Sequence, residues 1–297
     1  MNKRLHHYLL LCLLLAALPA TAEETGVSAE KACTSCHTAA VNPALHNIDQ
    51  TSHGVVLGLG TKGCIQCHGE SSEHRENPNQ HPPMVSFGPK TPSPVAERNN
   101  QCLQCHQDNG RIMWQGSAHQ QEDVSCNQCH QAHASRDLVL NSRDQVDICV
   151  DCHAPMKAQL QLPSRHPIKE GKTSCSDCHN PHGSTTHASL VGTSAIATCL
   201  QCHSEKRGPF LFEHPPVSED CSLCHKPHGS VNDDLLTTRG PFLCQQCHSA
   251  AFHPSQLNDG TGLPSGSSNQ NMLGKNCLNC HSQVHGSNHP SGGRLTR

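Results

Sequence analysis

The hydrophobic residues of this chain are concentrated at its start. Tyr8 to Leu18 is an apolar run with Leu at 9, 10, 11, 13, 14, 15 and 18, preceded by Lys3 and Arg4 and followed by Ala20-Thr21-Ala22. A basic start, a short apolar stretch and an A-x-A site predict a cleaved secretory signal peptide over 1–22, with the mature chain starting near Glu23. The run is too short to span a bilayer. Beyond it no stretch is apolar enough to cross a membrane, and no alternating apolar run is long enough to predict sheet. The remaining pattern predicts short helices. Ser142-x-x-Gln145 has the form of a capping box leading into Cys149, and Gly240-Pro241 suits the N-cap and first helical position before Cys244. Residues 75–101 carry six prolines and predict a linker. Residues 253–276, rich in Gly, Ser and Asn, predict a long loop.

Composition changes this picture from sparse to puzzling. Only 34% of the 297 residues are hydrophobic, and the aromatics are Tyr8, Phe87, Trp114, Phe210, Phe212, Phe242 and Phe252. Such a chain cannot bury enough apolar area to offset the entropy of ordering it. A membrane-spanning bundle, a basic nucleic-acid binder and a Rossmann or barrel enzyme are all excluded. The chain also holds 21 cysteines and 26 histidines, which implies that something other than side chains fills its middle.

Apart from Cys12 in the leader, every cysteine belongs to a C-x-x-C-H motif. The cysteine pairs are Cys33 and Cys36, Cys64 and Cys67, Cys102 and Cys105, Cys126 and Cys129, Cys149 and Cys152, Cys175 and Cys178, Cys199 and Cys202, Cys221 and Cys224, Cys244 and Cys247, and Cys277 and Cys280. The closing histidines are His37, His68, His106, His130, His153, His179, His203, His225, His248 and His281. This is the attachment signature of c-type haem. Cysteines at i and i+3 share one face of a helical turn. Both sulfurs can therefore bond one porphyrin, while the next residue offers its imidazole to the iron. Disulfides or zinc would also use such cysteines, but neither requires a histidine directly after the second. Ten covalently attached haems are expected, and the stacked macrocycles would be the core. The expected fold class is a multihaem cytochrome c: mostly loops and short helices wrapped around a haem chain, with little or no sheet.

A second axial ligand is needed for each iron. Met84, Met113, Met156 and Met272 are too few and too uneven, so His/His coordination is expected. The motifs pair along the chain as 33 with 64, 102 with 126, 149 with 175, 199 with 221 and 244 with 277. His119, His166 and His214 precede the second motif of the three middle pairs, and His133, His182 and His228 follow it. His53, His74, His253 and His285 repeat the plan in the stretched outer pairs. These ten are the distal candidates, and His46, His81, His187 and His289 are left over. A histidine three residues after a proximal one cannot reach the far face of the same haem. His133, His182 and His228 are therefore expected to bind irons of other motifs. First cysteines lie 22 to 26 residues apart in the middle of the chain and further apart at its ends, which is repeat logic with H-G-S turns as punctuation. The expected organisation is 1–22 signal peptide, 23–74 an N-terminal dihaem unit, 75–101 linker, and 102–297 an octahaem region of four dihaem units. The formal charge of −3 becomes −5 without Lys3 and Arg4. That argues against nucleic-acid partners and suits docking of lysine-bearing redox proteins.

These residues resemble the decahaem cytochromes of outer-membrane porin–cytochrome conduits, the MtrA/DmsE type. Besides the ten motifs, the resemblance rests on S-E-K-R-G-P at 204–209, C-S-L-C-H-K-P-H-G-S-V-N at 221–232, C-Q-Q-C-H at 244–248 and C-L-N-C-H-S-Q-V-H-G-S-N-H-P-S-G at 277–292. It implies bis-histidine haems and a periplasmic protein held in an outer-membrane β-barrel porin. The implied partners are periplasmic or inner-membrane cytochrome donors and an outer-surface multihaem cytochrome or terminal reductase. Ten haems in file would extend on the order of 50–100 Å if each takes about the width of a helix, against ~40–45 Å for a bilayer with headgroups. A polar surface forbids direct lipid contact, so a barrel sleeve would be required. A free periplasmic shuttle is the alternative. A multihaem reductase would need an open or unusual iron ligand, but the chain has no C-x-x-C-K, and its one tyrosine, Tyr8, lies in the leader. An electron carrier rather than an enzyme is expected.

Overall fold

The computed structural model describes residues 33–57, 63–90, 92–249 and 275–297. The expected signal peptide, Cys12, His253 and most of the 253–276 loop lie outside the described residues. Among the described residues there is no strand; pairing is limited to isolated antiparallel bridges such as Ser164 with Ser230 and Phe212 with Ser287. No described helix is long and apolar enough to cross a membrane. The expectation of short helices and loops without sheet is borne out.

Several of the short helices are little more than the turn a motif needs. Cys126–Cys129, Cys175–Asp177, Cys221–Leu223 and Cys277–Asn279 all begin on a first cysteine. A polar residue just ahead of that cysteine starts each turn. The Ser125 and Ser174 amides donate to the side chains of Gln128 and Asp177, at 2.6 and 2.7 Å. The Asp220 and Asn276 side chains accept from the amides of Ser222 and Leu278. In these turns the closing histidine amide then donates to the first cysteine's carbonyl at 2.9–3.0 Å. That bond completes one helical turn and gathers both sulfurs and the imidazole at one locus.

Two local expectations are corrected. Helix Gln145–Val150 has Asp144, not Ser142, as its N-cap. Asn141 Oδ1 instead accepts from the amides of Arg143 and Asp144. Gln145 is drawn away to Ser176, donating to its Oγ at 3.0 Å and accepting from its amide at 2.9 Å. Helix Phe242–Gln245 takes Pro241, not Gly240, as its N-cap, a one-residue shift of the kind common at helix ends.

The chain divides into two units: one comprises the described residues up to Cys102 with Ala132–Arg136, the other Leu103–Gln131 with Asp137–Arg297. In the first, the proline-rich stretch expected as a linker folds back on the second motif. The Val85 amide donates to the His68 carbonyl at 3.2 Å, His68 Nδ1 donates to the Val85 carbonyl at 2.9 Å, and Val85 and Ser86 are buried.

Side-chain cores are small. Val85, Trp114, Val150, Leu160 and Ile168 are the buried hydrophobics among the described residues, and Val150, Leu160 and Ile168 cluster with Val146 against them. The second unit instead contains a cavity of about 4080 Å³, several times the roughly 300–1,000 Å³ of an ordinary ligand pocket.

The H-G-S segments lock successive repeats together. A Cβ on Gly183 would collide with the Met113 carbonyl, and one on Gly229 with the Gln159 carbonyl. Both obstacles are backbone, so Gly229→Ala is expected to cost on the order of 2 kcal/mol, read as a lowered thermal midpoint of the native protein. An unchanged midpoint would show that Gln159 and Gly229 do not approach so closely.

Candidate cofactor-binding centres

Each described motif brings its cysteines and histidine together by local geometry. The second imidazoles arrive from far along the chain, and the structure places them in pairs with motif histidines. In the first unit His37 faces His74, with ring centres 6.2 Å apart, and His68 faces His133 at 6.3 Å. In the second unit six more pairs form: His119 with His153 at 6.0 Å, His130 with His182 at 6.1 Å, His166 with His203 at 6.2 Å, His179 with His228 at 5.9 Å, His214 with His248 at 6.0 Å, and His225 with His285 at 6.1 Å. Each joins one motif histidine to one distal candidate. None of His133, His182, His228 and His285 faces the histidine of its own motif.

These separations fit a metal between the rings. Two imidazoles on opposite sides of one ion, each bonded at about 2.0–2.1 Å, put their ring centres roughly 6 Å apart. The outward nitrogens fit as well. His119, His166 and His214 donate from Nδ1 to the carbonyls of Pro181, Pro227 and Val284, at 2.7, 2.7 and 3.0 Å. In each case that carbonyl belongs to the residue just before His182, His228 or His285. His68, His74, His133, His179, His225 and His281 likewise donate to backbone carbonyls. A carbonyl can only accept, so Nδ1 carries the proton and Nε2 keeps a lone pair for a metal. Burial lowers the pKa of His68, His182, His228 and His285, favouring the neutral imidazole that ligation needs.

The left-over histidines are used otherwise. His46 Nε2 donates to the His37 carbonyl at 2.8 Å, and His81 supplies its carbonyl to His74 and lies 3.5 Å from Glu73. His289 Nδ1 accepts from Ser291. His187 sits on an exposed turn. His53, His106 and His281 are not among the ring pairs given above, and His253 lies outside the described residues.

The thiols in the second unit follow motif order. Cys149 hydrogen-bonds Cys175, which raises the first thiol's pKa and lowers the second to about 7. Burial, with Cys221 and Cys277 alongside, pushes Cys199 and Cys244 up to about 11. Between these contacts Cys129 lies within electrostatic reach of Cys152, Cys178 of Cys202, and Cys224 of Cys247. Cysteines of successive motifs thus lie close to one another from the fourth motif to the tenth.

Sequence reasoning missed two kinds of residue. The Nε atoms of Arg111 and Arg165 are buried without a hydrogen-bond partner. Such donors call for an acceptor that the described residues do not supply, as the carboxylates of a bound porphyrin would. Arg165 lines the cavity beside His166. Asp137 is the second kind: its carboxylate accepts from His130 at 2.7 Å.

Residues 64–152 match the family described as cytochrome c-type protein NrfB-like, and 166–208 and 214–253 each match the doubled CXXCH motif. The doubled matches join the sixth motif to the seventh and the eighth to the ninth, out of phase with the pairing expected from the sequence. Continuous thiol contacts make either division natural. Multiheme cytochrome MtrA of Shewanella baltica is 47% identical over 255 residues, which cover 85% of this chain and 75% of that protein. Cytochrome c-type protein NrfB of Escherichia coli O6:H1 is 28% identical over 140 residues, covering 43% of this chain and 67% of its own length.

Proposed function

The chain belongs to the MtrA family of multihaem c-type cytochromes, which carry covalent haem and transfer electrons, and from that membership we propose a ten-haem conduit ligated by histidine on both faces of every iron. Bound haem supplies one-electron iron chemistry. The chain's part is to hold, orient and order the sites. The observation that carries this reading is the recurrence of ring centres 5.9–6.3 Å apart. In eight such pairs both members are histidines and one closes a C-x-x-C-H motif, while Trp114 packs beside His182 at 6.3 Å. His53, His106, His253 and His281 complete the twenty ligands.

The cross-ties have a structural consequence. The second motif of each of the first four pairs is matched by a histidine from the next pair: His68 by His133, His130 by His182, His179 by His228, His225 by His285. Seven of the eight paired sites draw their two histidines from neighbouring pairs of motifs, so these repeats support one another, as expected for repeat architecture. The closeness of cysteines in successive motifs, from the fourth to the tenth, supports sites in single file there. With two histidines offered to each iron, none would be left open to substrate, and the protein is read as a carrier without its own substrate site.

We place the protein in the periplasm, exported by a cleaved signal peptide and held at the outer membrane by a β-barrel porin. It would accept electrons from periplasmic or inner-membrane cytochromes and exchange them with an outer-surface multihaem cytochrome or terminal reductase. An acidic, hydrogen-bonding surface cannot face lipid, which favours the sleeve. Detergent extraction of native outer membranes, with affinity capture of the tagged protein, is expected to bring down a barrel protein in near-stoichiometric amount. Recovery of the cytochrome wholly in the soluble periplasmic fraction would instead identify a shuttle.

A further inference from the structure

The fourth, sixth and eighth motifs are followed by the same construction with one difference. A short 3-10 turn begins eight residues after the motif histidine: Leu138–Leu140 after His130, His187–Ser189 after His179, and Asp233–Leu235 after His225. In the latter two, the middle residue adopts a left-handed backbone, with φ 56° at Ala188 and 54° at Asp234. That turn presents its carbonyl to the motif histidine, and His179 and His225 each donate to it at 2.7 Å. In the fourth motif the middle residue is Val139, whose branched side chain disfavours that conformation. Its φ is not positive, and its carbonyl accepts from Gln145 instead. The residue ahead of the turn, Thr186 or Asn232 in the other repeats, is here Asp137, and its carboxylate takes the place of the carbonyl, 2.7 Å from His130 Nδ1.

We propose that Asp137 is a positioning residue that sets the site at Cys126–His130 apart from its repeats, by putting an anionic acceptor behind the motif imidazole where the sixth and eighth sites have a neutral one. The proposal rests on the haem ligation argued above. A carboxylate draws on the Nδ1 proton more strongly than a carbonyl does and raises the basicity of Nε2. It is also a net negative charge, with its side chain only 19% exposed, and screening there is reduced. Both effects favour the ferric over the ferrous state. The site at Cys126–His130 is therefore the harder of the three to reduce. In a single file, that makes the fourth position an energetic step rather than a level crossing.

The test is a redox titration of the whole native protein, followed by NMR that resolves individual haem methyl signals, beside Asp137→Asn and Asp137→Glu. In the native protein the site at Cys126–His130 is expected at a lower potential than those at Cys175–His179 and Cys221–His225. In D137N the ferric-to-ferrous ratio of that one site should fall about tenfold at fixed potential, ~59 mV for one electron, with haem number and low-spin character unchanged. D137E, which keeps the charge, should stay near native. Equal potentials at the three native sites, or equal shifts in D137N and D137E, would overturn the proposal. Absence of haem from the Cys126–His130 peptide by mass spectrometry would overturn the ligation itself, a separate failure.

Discussion

Produced without haem attachment, this chain is expected to show no cooperative unfolding transition and no fixed tertiary signal in near-ultraviolet circular dichroism. Its longest described helix, Val95–Leu103, has nine residues, shorter than the ~12–15 at which isolated helices become marginal in water. Its packed aliphatic cluster amounts to Val150, Leu160 and Ile168 with Val146. These contacts cannot offset the conformational entropy of ordering so long a chain. The cavity of about 4080 Å³ marks where the missing apolar mass belongs. Attached macrocycles would fill it and be tied at two sulfurs and two imidazoles each. An unattached chain that melted cooperatively would show that the polypeptide holds itself together, and the view of haem as core would fail.

The second large effect concerns the cross-ties. His228→Ala is expected to convert the native protein, which should bind no carbon monoxide when reduced, into one binding about one equivalent per chain. The open iron should lie in the haem of Cys175 and Cys178, because His228 faces His179 at 5.9 Å. It should not lie in the haem of His228's own neighbouring cysteines, Cys221 and Cys224. Removing Cys175 and Cys178 in the H228A background should therefore abolish the new carbon monoxide signal. Removing Cys221 and Cys224 should leave it. The opposite pattern would redraw the ligand assignment, and carbon monoxide binding by the unaltered protein would point to an open iron and a reductase.

How much of this could be read from the chain depends on distance along it. Short helices were legible because cysteines at i and i+3 with histidine at i+4 need only one turn. The lack of strands among the described residues was legible because the sequence has no long apolar alternation. That His182 and His228 reach other motifs followed from the reach of three residues. Which motif they reach did not, since bonds such as His119 to Pro181 and His166 to Pro227 span 62 and 61 residues, and spacing says nothing about contacts that long. Residues 75–101 read as a linker because prolines mark boundaries, yet Val85 and Ser86 pack onto the His68 motif. A proline-rich segment without its own helix can still supply a carbonyl. Gln145 read as part of a cap because local pattern cannot show that Ser176, from a neighbouring repeat, competes for its amide. Asp137 was visible only as a broken repeat: Ala134 stands where Gly183, Gly229 and Gly286 follow their histidines. The signal was present, but its meaning depended on the backbone of Val139.

The most direct test is denaturing intact-mass measurement of the mature protein from its native compartment, with peptide mapping of each motif. The account predicts a polypeptide beginning near Glu23 that carries ten haems, two thioethers at every motif from Cys33 to Cys280, and no free thiol. Free cysteines, disulfides or zinc at these positions would contradict it.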